Sequence, residues 1–250
     1  MENDDVQVGR ILSRREALGL IGAGGAALLA APGRAADAPA RTLRLPACVV
    51  RPRQSAGPYF VDTRLERSDI RSDPTDGSVR EGSPLSLAFQ VSRLGAGGCE
   101  PLRGALVDIW QCDALGIYSG VEDIAGLFDT TGKQFLRGHQ VTDDAGTARF
   151  TTIFPGWYPG RTAHIHFMIR TNPSGERGHE FVSQLYFDDG LADRVYENPP
   201  YAEHAGGRQR NADDGLYRGG GDQLLLDVTE NGGQMSAVFD VGLQIGPTGA

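Results

Sequence analysis

Apolar residues after position 84 recur mostly at every second position over short runs, the period of a strand with one face buried and not of a helix. The runs are 85–91, 105–112, 140–142, 147–153, 163–170, 181–187, 224–229 and 234–243. Most are bounded by turn residues, and Asp143-Asp144-Ala145-Gly146 is predicted to connect two of them as a hairpin. One helical piece stands out, around 191–197. Ahead of the strands, residues 37–60 read as an extended arm punctuated by proline. The stretch 68–84 reads as a loop of Asp, Ser, Gly and Pro, so 37–84 is predicted as one arm-and-loop segment. The pattern predicts an all-β fold over 85–250: a β-sandwich core of two mixed or antiparallel sheets, with long loops and little helix.

Composition supports that picture and adds a separate N-terminal segment. The 35 glycines and 14 prolines are spread along the 250 residues, and 40% apolar content suffices for one ordinary core. At the start, Ser13-Arg14-Arg15-Glu16-Ala17-Leu18 precedes an uncharged Ala-, Gly- and Leu-rich run over 19–33, and Arg34-Ala35-Ala36-Asp37 supplies small residues for a cut. This resembles a twin-arginine export signal over residues 1–36, and the run is short and glycine-rich for a stable membrane anchor. The chain is therefore expected to be exported, to the periplasm or beyond the cell, with the twin-arginine machinery as a partner. Such export suits a protein that receives a cofactor before crossing.

Residues 1–36 contain four basic and four acidic side chains, so their removal leaves the formal net charge at −8. No basic patch invites nucleic acid. Of Cys48, Cys99 and Cys112, two could form a disulfide in an oxidising compartment. Cys99 with Cys112 is expected, because Leu102-Arg103-Gly104 could turn the chain between them.

The candidate chemistry lies in Trp157-Tyr158-Pro159-Gly160-Arg161-Thr162-Ala163-His164-Ile165-His166. On a strand, Ala163, Ile165, Phe167 and Ile169 share one face, and His164, His166, Met168 and Arg170 the other. Two readings stay open at this point: histidines turned to solvent, or imidazoles one strand period apart that grip a single ion. An ion would need further ligands, and tyrosine qualifies, since phenolate is a hard oxygen donor suited to Fe(III). Tyr118 and Tyr158 stand in glycine-rich loops after strands, where each could equally be a loop tyrosine half-covering the core. His139, His179 and His204 lie in polar surroundings and read as surface residues.

Several short stretches together resemble the intradiol ring-cleaving dioxygenases, more closely their exported twin-arginine members than the cytoplasmic enzymes. In order, they are Gly57-Pro58-Tyr59-Phe60, Arg67-Ser68-Asp69-Ile70-Arg71, Val107-Asp108-Ile109-Trp110-Gln111-Cys112-Asp113-Ala114, Phe135-Leu136-Arg137-Gly138, Pro155-Gly156-Trp157-Tyr158, Arg161-Thr162-Ala163-His164-Ile165-His166-Phe167 and Ser183-Gln184-Leu185-Tyr186-Phe187. The resemblance runs from about residue 57 to 242. It implies a non-haem Fe(III) held by Tyr118, Tyr158, His164 and His166, with Tyr158 and His166 as the axial pair. It also implies that Arg161 stabilises charge on the bound ring and that Gln184 stands near the substrate. Tyr158 would act as a base toward the entering catechol, and O2 would be inserted between the two hydroxylated carbons to give a cis,cis-muconate.

The resemblance differs from the cytoplasmic enzymes in two respects. Residues 37–84 lack the helical periodicity of the segment through which cytoplasmic catechol enzymes dimerise, so a homo-oligomer would form by another route. The gap between Tyr158 and His164 is short, which implies a more open site. Two rivals are an exported metal- or ligand-binding β-sandwich without activity, and a copper-handling protein using His164, His166 and Met168. Neither gives the two tyrosines and Arg161 a common role.

Overall fold

The computed structural model describes residues 49–95, 98–171, 178–204 and 206–245. The export-signal segment 1–36 and residues 37–48, with Cys48, lie outside the described residues. Within them the chain forms two packed sheets, as the alternation predicts. One sheet is built on β1 (Pro84–Gly95), flanked on one edge by β2 (Gly98–Pro101) and β5 (Thr147–Ile153), and on the other by β9 (Gln234–Leu243) and then β8 (Val228–Asn231). The second runs β4 (Arg137–Val141), β3 (Leu106–Trp110), β6 (His164–Arg170), β7 (Glu180–Tyr186). All pairings are antiparallel except β1 with β9.

The core lies between the sheets and uses alternate residues of the longer strands. Leu85, Leu87, Phe89 and Val91 from β1 meet Ile165, Phe167 and Ile169 from β6, with Phe239 packed edge-on to both Phe89 and Phe167. Helix α1 (Asp189–Tyr196) buries Leu191, Ala192 and Val195 and starts where Asp188 accepts the amide of Leu191 at 3.0 Å.

β3 and β6 are unlike ordinary sandwich strands, because both of their faces are buried. The outer face of the second sheet carries its own apolar cluster of Tyr59, Trp110, Cys112, Tyr118, Met168 and Val182. It is covered by the arm, which is fastened along β7 by Gln54 N–H to Val182 O at 3.0 Å and Ser183 Oγ to Pro52 O at 2.8 Å. Loop residues after β3 complete the cover. This buried outer face is where the site is found.

Several details depart from the sequence pattern. Asp143-Asp144-Ala145-Gly146 does form a tight turn, with Gly146 N–H on Asp143 O, but β4 and β5 do not pair. The turn hands the chain from one sheet to the other. The run 224–229 splits into a 3-10 turn at Gly221–Leu224 and the start of β8. Its alternation comes from Leu224 and Leu226, which plug into the core while only Leu226 N–H bonds to Tyr186 O, at 2.8 Å. β2 is exposed throughout and has no apolar signal, and the single turn α2 (Gly215–Arg218) is set by Asp214 accepting the amides of Leu216 and Tyr217. The pairing of Cys99 with Cys112 is overturned. Cys112 is a free, buried thiol at the end of β3, beneath the arm, whereas Cys99 is disulfide-bonded from the exposed edge hairpin of the other sheet.

Candidate metal centre

Strand register assembles the first part of the site. Trp110 on β3, His166 on β6 and Gln184 on β7 stand in one row across the outer face, and His164 lies opposite Tyr186 in the next. Trp110 stacks on the His166 ring with 5.1 Å between centroids and planes 3° apart, so the imidazole is fixed from behind. His164 is fixed by a hydrogen bond between its Nδ1 and the Thr162 carbonyl at 2.7 Å. A carbonyl only accepts, so Nδ1 carries the proton and Nε2 keeps a lone pair.

Tyr118 reaches the same place from a loop. Asp113 accepts the amides of Leu115 and Ile117 at 3.0 Å each and bends the chain back after β3. Gly116, at φ 82°, lets the bend lie against the neighbouring loop, for a Cβ there would stand 2.2 Å from the Trp157 carbonyl oxygen. This close approach brings Tyr118 beside Tyr158, ring centroids 5.7 Å apart. From the arm, Gly57 at φ 69° crosses over His166, where a Cβ would come within 3.1 Å of the imidazole. Tyr59 then covers both tyrosines, 4.8 Å from Tyr118 and 5.7 Å from Tyr158.

The outcome is a tight convergence of donor atoms. His164 Nε2 lies 3.1 Å from His166 Nε2 and 3.3 Å from the Tyr118 hydroxyl, and the Tyr158 ring packs edge-on to His164 at 5.6 Å. Both histidines and Tyr118 are essentially sealed from solvent, while Tyr158 is half-buried. Burial, aided by the Arg161 charge, holds His164 down at about 3, and burial together with His164 pushes His166 well below its usual range. Both rings are therefore neutral, with lone pairs to give. Burial also pushes both phenols up, so in the bare protein they stay protonated, although Arg161 opposes the rise at Tyr158.

This donor set fits a cation. Two neutral imidazoles aim Nε2 at one another across 3.1 Å, and the Tyr118 hydroxyl lies 3.3 Å from His164 Nε2. A positive ion between the rings and the phenol would satisfy all three groups at once and would ionise the phenol. Among the described residues no cluster of three or more His, Cys, Asp or Glu side chains forms. A site here has to draw on tyrosine.

Arg161 closes the fourth side. Its Nε is paired with Asp214 at 2.8 Å, one guanidinium nitrogen donates to Gln184 Oε1 at 2.5 Å, and the other lies 3.4 Å from both the Tyr158 hydroxyl and His164 Nε2. Gln184 is held in turn through its amide to the Ser55 carbonyl at 3.0 Å. All six residues singled out in the sequence are thus brought together. Asp214, Tyr186 and Tyr59 were not among them. Asp214 is fully buried and also accepts the Thr162 amide at 3.0 Å. Burial alone would raise its carboxyl, but the Thr162 amide and Arg161 outweigh it and hold the group below the ordinary carboxylate range. Only its position before a short helix turn marks it in sequence. Tyr59 was visible as part of Gly57-Pro58-Tyr59-Phe60, though without a role.

The other three histidines are not plain surface residues. His139 is buried, because residues 65–67 bond to β4 through His139 N–H and O. His179 and His204 are half-buried, and His204 stacks on Trp157 at 4.0 Å. Tyr158 faces a cavity of about 440 Å³ that leads outward past Tyr59 and His204. A larger groove, about 620 Å³, crosses β1, β5 and β9 and contains none of the site residues.

Comparison with known proteins shows the family. The family model Dioxygenase_C, described as "Dioxygenase", matches residues 55–200. The protocatechuate 3,4-dioxygenase beta chain of Burkholderia cepacia is 33% identical over 184 residues, 69% of this chain and 71% of that one. Among solved structures, an intradiol ring-cleavage dioxygenase from Tetranychus urticae shares 31% identity with a TM-score of 0.65, covering 81% of this chain and 96% of the other. The dioxygenase domain of a carbohydrate-binding fusion protein from Streptomyces sp. SirexAA-E shares 30% identity with a TM-score of 0.56, covering 79% and 100%.

Proposed function

The chain belongs to the Dioxygenase_C family and is an intradiol ring-cleaving dioxygenase, and from that premise we propose that it is an exported, non-haem Fe(III) enzyme. Its substrates are catechol-type diols, cleaved with O2 between the two hydroxylated carbons to cis,cis-muconate-type products. The observation that carries this reading is the convergence on His164 Nε2 of His166 Nε2 at 3.1 Å and the Tyr118 hydroxyl at 3.3 Å, with Tyr158 and Arg161 against them. In the proposal Tyr118, Tyr158 and the two Nε2 atoms hold the ion. When bound, Fe(III) supplies the positive charge that keeps the phenols ionised, binds the diol oxygens and makes the ring reactive toward O2.

The protein's own groups do the rest. Tyr158 is the proposed ligand nearest the cavity, so its phenolate oxygen meets the entering diol and takes a proton from it. Arg161, 3.4 Å from that oxygen, steadies the negative charge left on the diol, and Asp214 and Gln184 keep the guanidinium from swinging away. Trp110, Tyr59 and Met168 wall the ligands off from water. Export rests on the Ser13-Arg14-Arg15 segment, with residues 1–36 as the signal, 37–84 as the arm and 85–250 as the catalytic domain.

The test is the visible spectrum of the mature, iron-reconstituted protein before and after anaerobic addition of catechol, with Tyr118→Phe and Tyr158→Phe alongside. A broad phenolate-to-Fe(III) band is expected, shifting with catechol and altered in each variant. A protein that stays colourless after reconstitution would overturn the site. A coloured protein that consumes no O2 with any catechol would overturn the reaction and leave a binding module.

A further inference from the structure

The cavity outside Tyr158 is larger than a bare catechol needs. Its 440 Å³ lies within the range, about 300–1,000 Å³, of pockets that bury drug-sized molecules. Its inner end is formed by the rings of Tyr158 and Tyr59, and Ile117, Leu127 and Phe128 contribute an apolar wall. At the mouth, Ile124 and Leu127 are 80% and 69% exposed. Two large aliphatic side chains at the rim of a site suit an apolar ligand.

The charges around the cavity point the same way. Among the described residues no Lys or Arg lines it, and Asp123 supplies its one carboxylate. Asp123 takes a short hydrogen bond from the Tyr59 hydroxyl and accepts the amides of Ala125 and Leu127 at 2.9 and 3.1 Å, and the Tyr59 bond above all keeps its carboxyl below the ordinary range. His204 offers no balancing charge, since burial pushes its imidazole down and its Nδ1 is enclosed without a partner against the Trp157 stack. Two arginines beside the proposed ligands are already engaged. Arg161 is paired with Asp214, and Arg137 is bonded to the Ser119 carbonyl and hydroxyl.

Resting on the proposed function, we infer that this cavity selects catechols whose ring carries a neutral apolar or aryl substituent and rejects those carrying a carboxylate. An aryl group would bury apolar surface against Phe128, Ile117 and Leu127. A carboxylate projecting into the cavity would lose its water beside Asp123, with no Lys or Arg among the described lining residues. The preference is opposite in charge to that of an enzyme acting on protocatechuate, for which the Burkholderia cepacia relative is named.

The test compares catechol, 4-phenylcatechol and protocatechuate on the iron-loaded mature protein, by anaerobic quenching of tryptophan fluorescence and by O2 uptake. The expected order is 4-phenylcatechol bound about tenfold or more tightly than catechol, and protocatechuate weaker than catechol by a similar factor. Leu127→Arg, or Ile124→Lys should that variant not fold, places a cation at the rim and is expected to recover protocatechuate binding by roughly tenfold. Protocatechuate binding as tightly as catechol, or 4-phenylcatechol binding less tightly, would overturn the inference whatever the turnover. The expected binding order without O2 uptake on any diol would uphold the cavity's selectivity and overturn only the proposed reaction.

Discussion

At the scale of single residues, the site is held together by groups that never touch its centre. Asp214 is the clearest case. It is fully buried, neutralises Arg161 at 2.8 Å, accepts the Thr162 amide and caps α2 through Leu216 and Tyr217. Removing one partner of a buried pair leaves the other charge uncompensated, which costs about 3–5 kcal/mol. Asp214→Ala is therefore expected to lower unfolding free energy by about that amount in urea titration. Asp214→Asn, which keeps an acceptor for the amides, should lose less. Equal losses would mean that the charge, and not the hydrogen bonds, is what Asp214 contributes. Nothing local in the sequence announces this role, because Arg161 and Asp214 are 53 positions apart and meet only after the chain has wrapped around β7 and α1.

At the scale of elements, the loop 68–84 shows how an irregular segment is made rigid by one carboxylate. Asp73 is buried and accepts Thr75 N–H at 2.9 Å, Thr75 Oγ at 2.7 Å and the Gln134 amide at 3.1 Å, pinning the loop to the segment before β4. Burial works against its ionisation, but the Thr75 and Gln134 donors win and hold its carboxyl below the ordinary value. With the folded value below the unfolded one, near 3.9, the stabilisation is fully present above about pH 4 and drains away as pH falls through the folded value. Asp73→Asn is expected to cost about 1–3 kcal/mol at pH 7, through the donor left unmet. The gap to the parent protein should hold at pH 5 and narrow below pH 4 in urea titrations; a gap that widens in acid would contradict the assignment. Elements themselves were read well where burial follows one face. The alternation of Ala163, Ile165, Phe167 and Ile169 placed β6 and both histidines correctly. It could not show that the histidine face is also buried, because the cover is supplied by Tyr59 and Tyr118, far away in sequence. For the same reason the turn at 143–146 was legible while the sheets it joins were not: pairing partners are a property of the whole chain.

At the scale of the whole molecule, the two apolar clusters on either side of the second sheet connect the site to global stability. The fold class was legible in the alternation, and the six residues proposed for the site were picked out by short motifs and a glycine-rich loop; the disulfide was not legible, because the turn at 102–104 says nothing about which face a cysteine finally occupies. Cys112, free and buried in the outer cluster with Tyr118 and Trp110, is consequently a reporter of opening. Burial pushes its thiol far above the ordinary value, so in the native state it is neither ionised nor accessible. Alkylation of Cys112, followed by mass spectrometry of its peptide, is expected to proceed only as the cluster opens. An ion bound by the proposed ligands stabilises the closed form alone. When present at about 100 times its dissociation constant it adds about 2.7 kcal/mol, or roughly a hundredfold fewer openings. Stripping iron with a chelator should then speed the labelling by about that factor, while labelling in denaturant stays unchanged. The rate would be insensitive to iron only if the arm and the loop after β3 lifted from β6 without disturbing the ligands. The Asp113 turn and the Trp110 stack on His166 oppose this, because they tie the cover and the ligand strand into one unit.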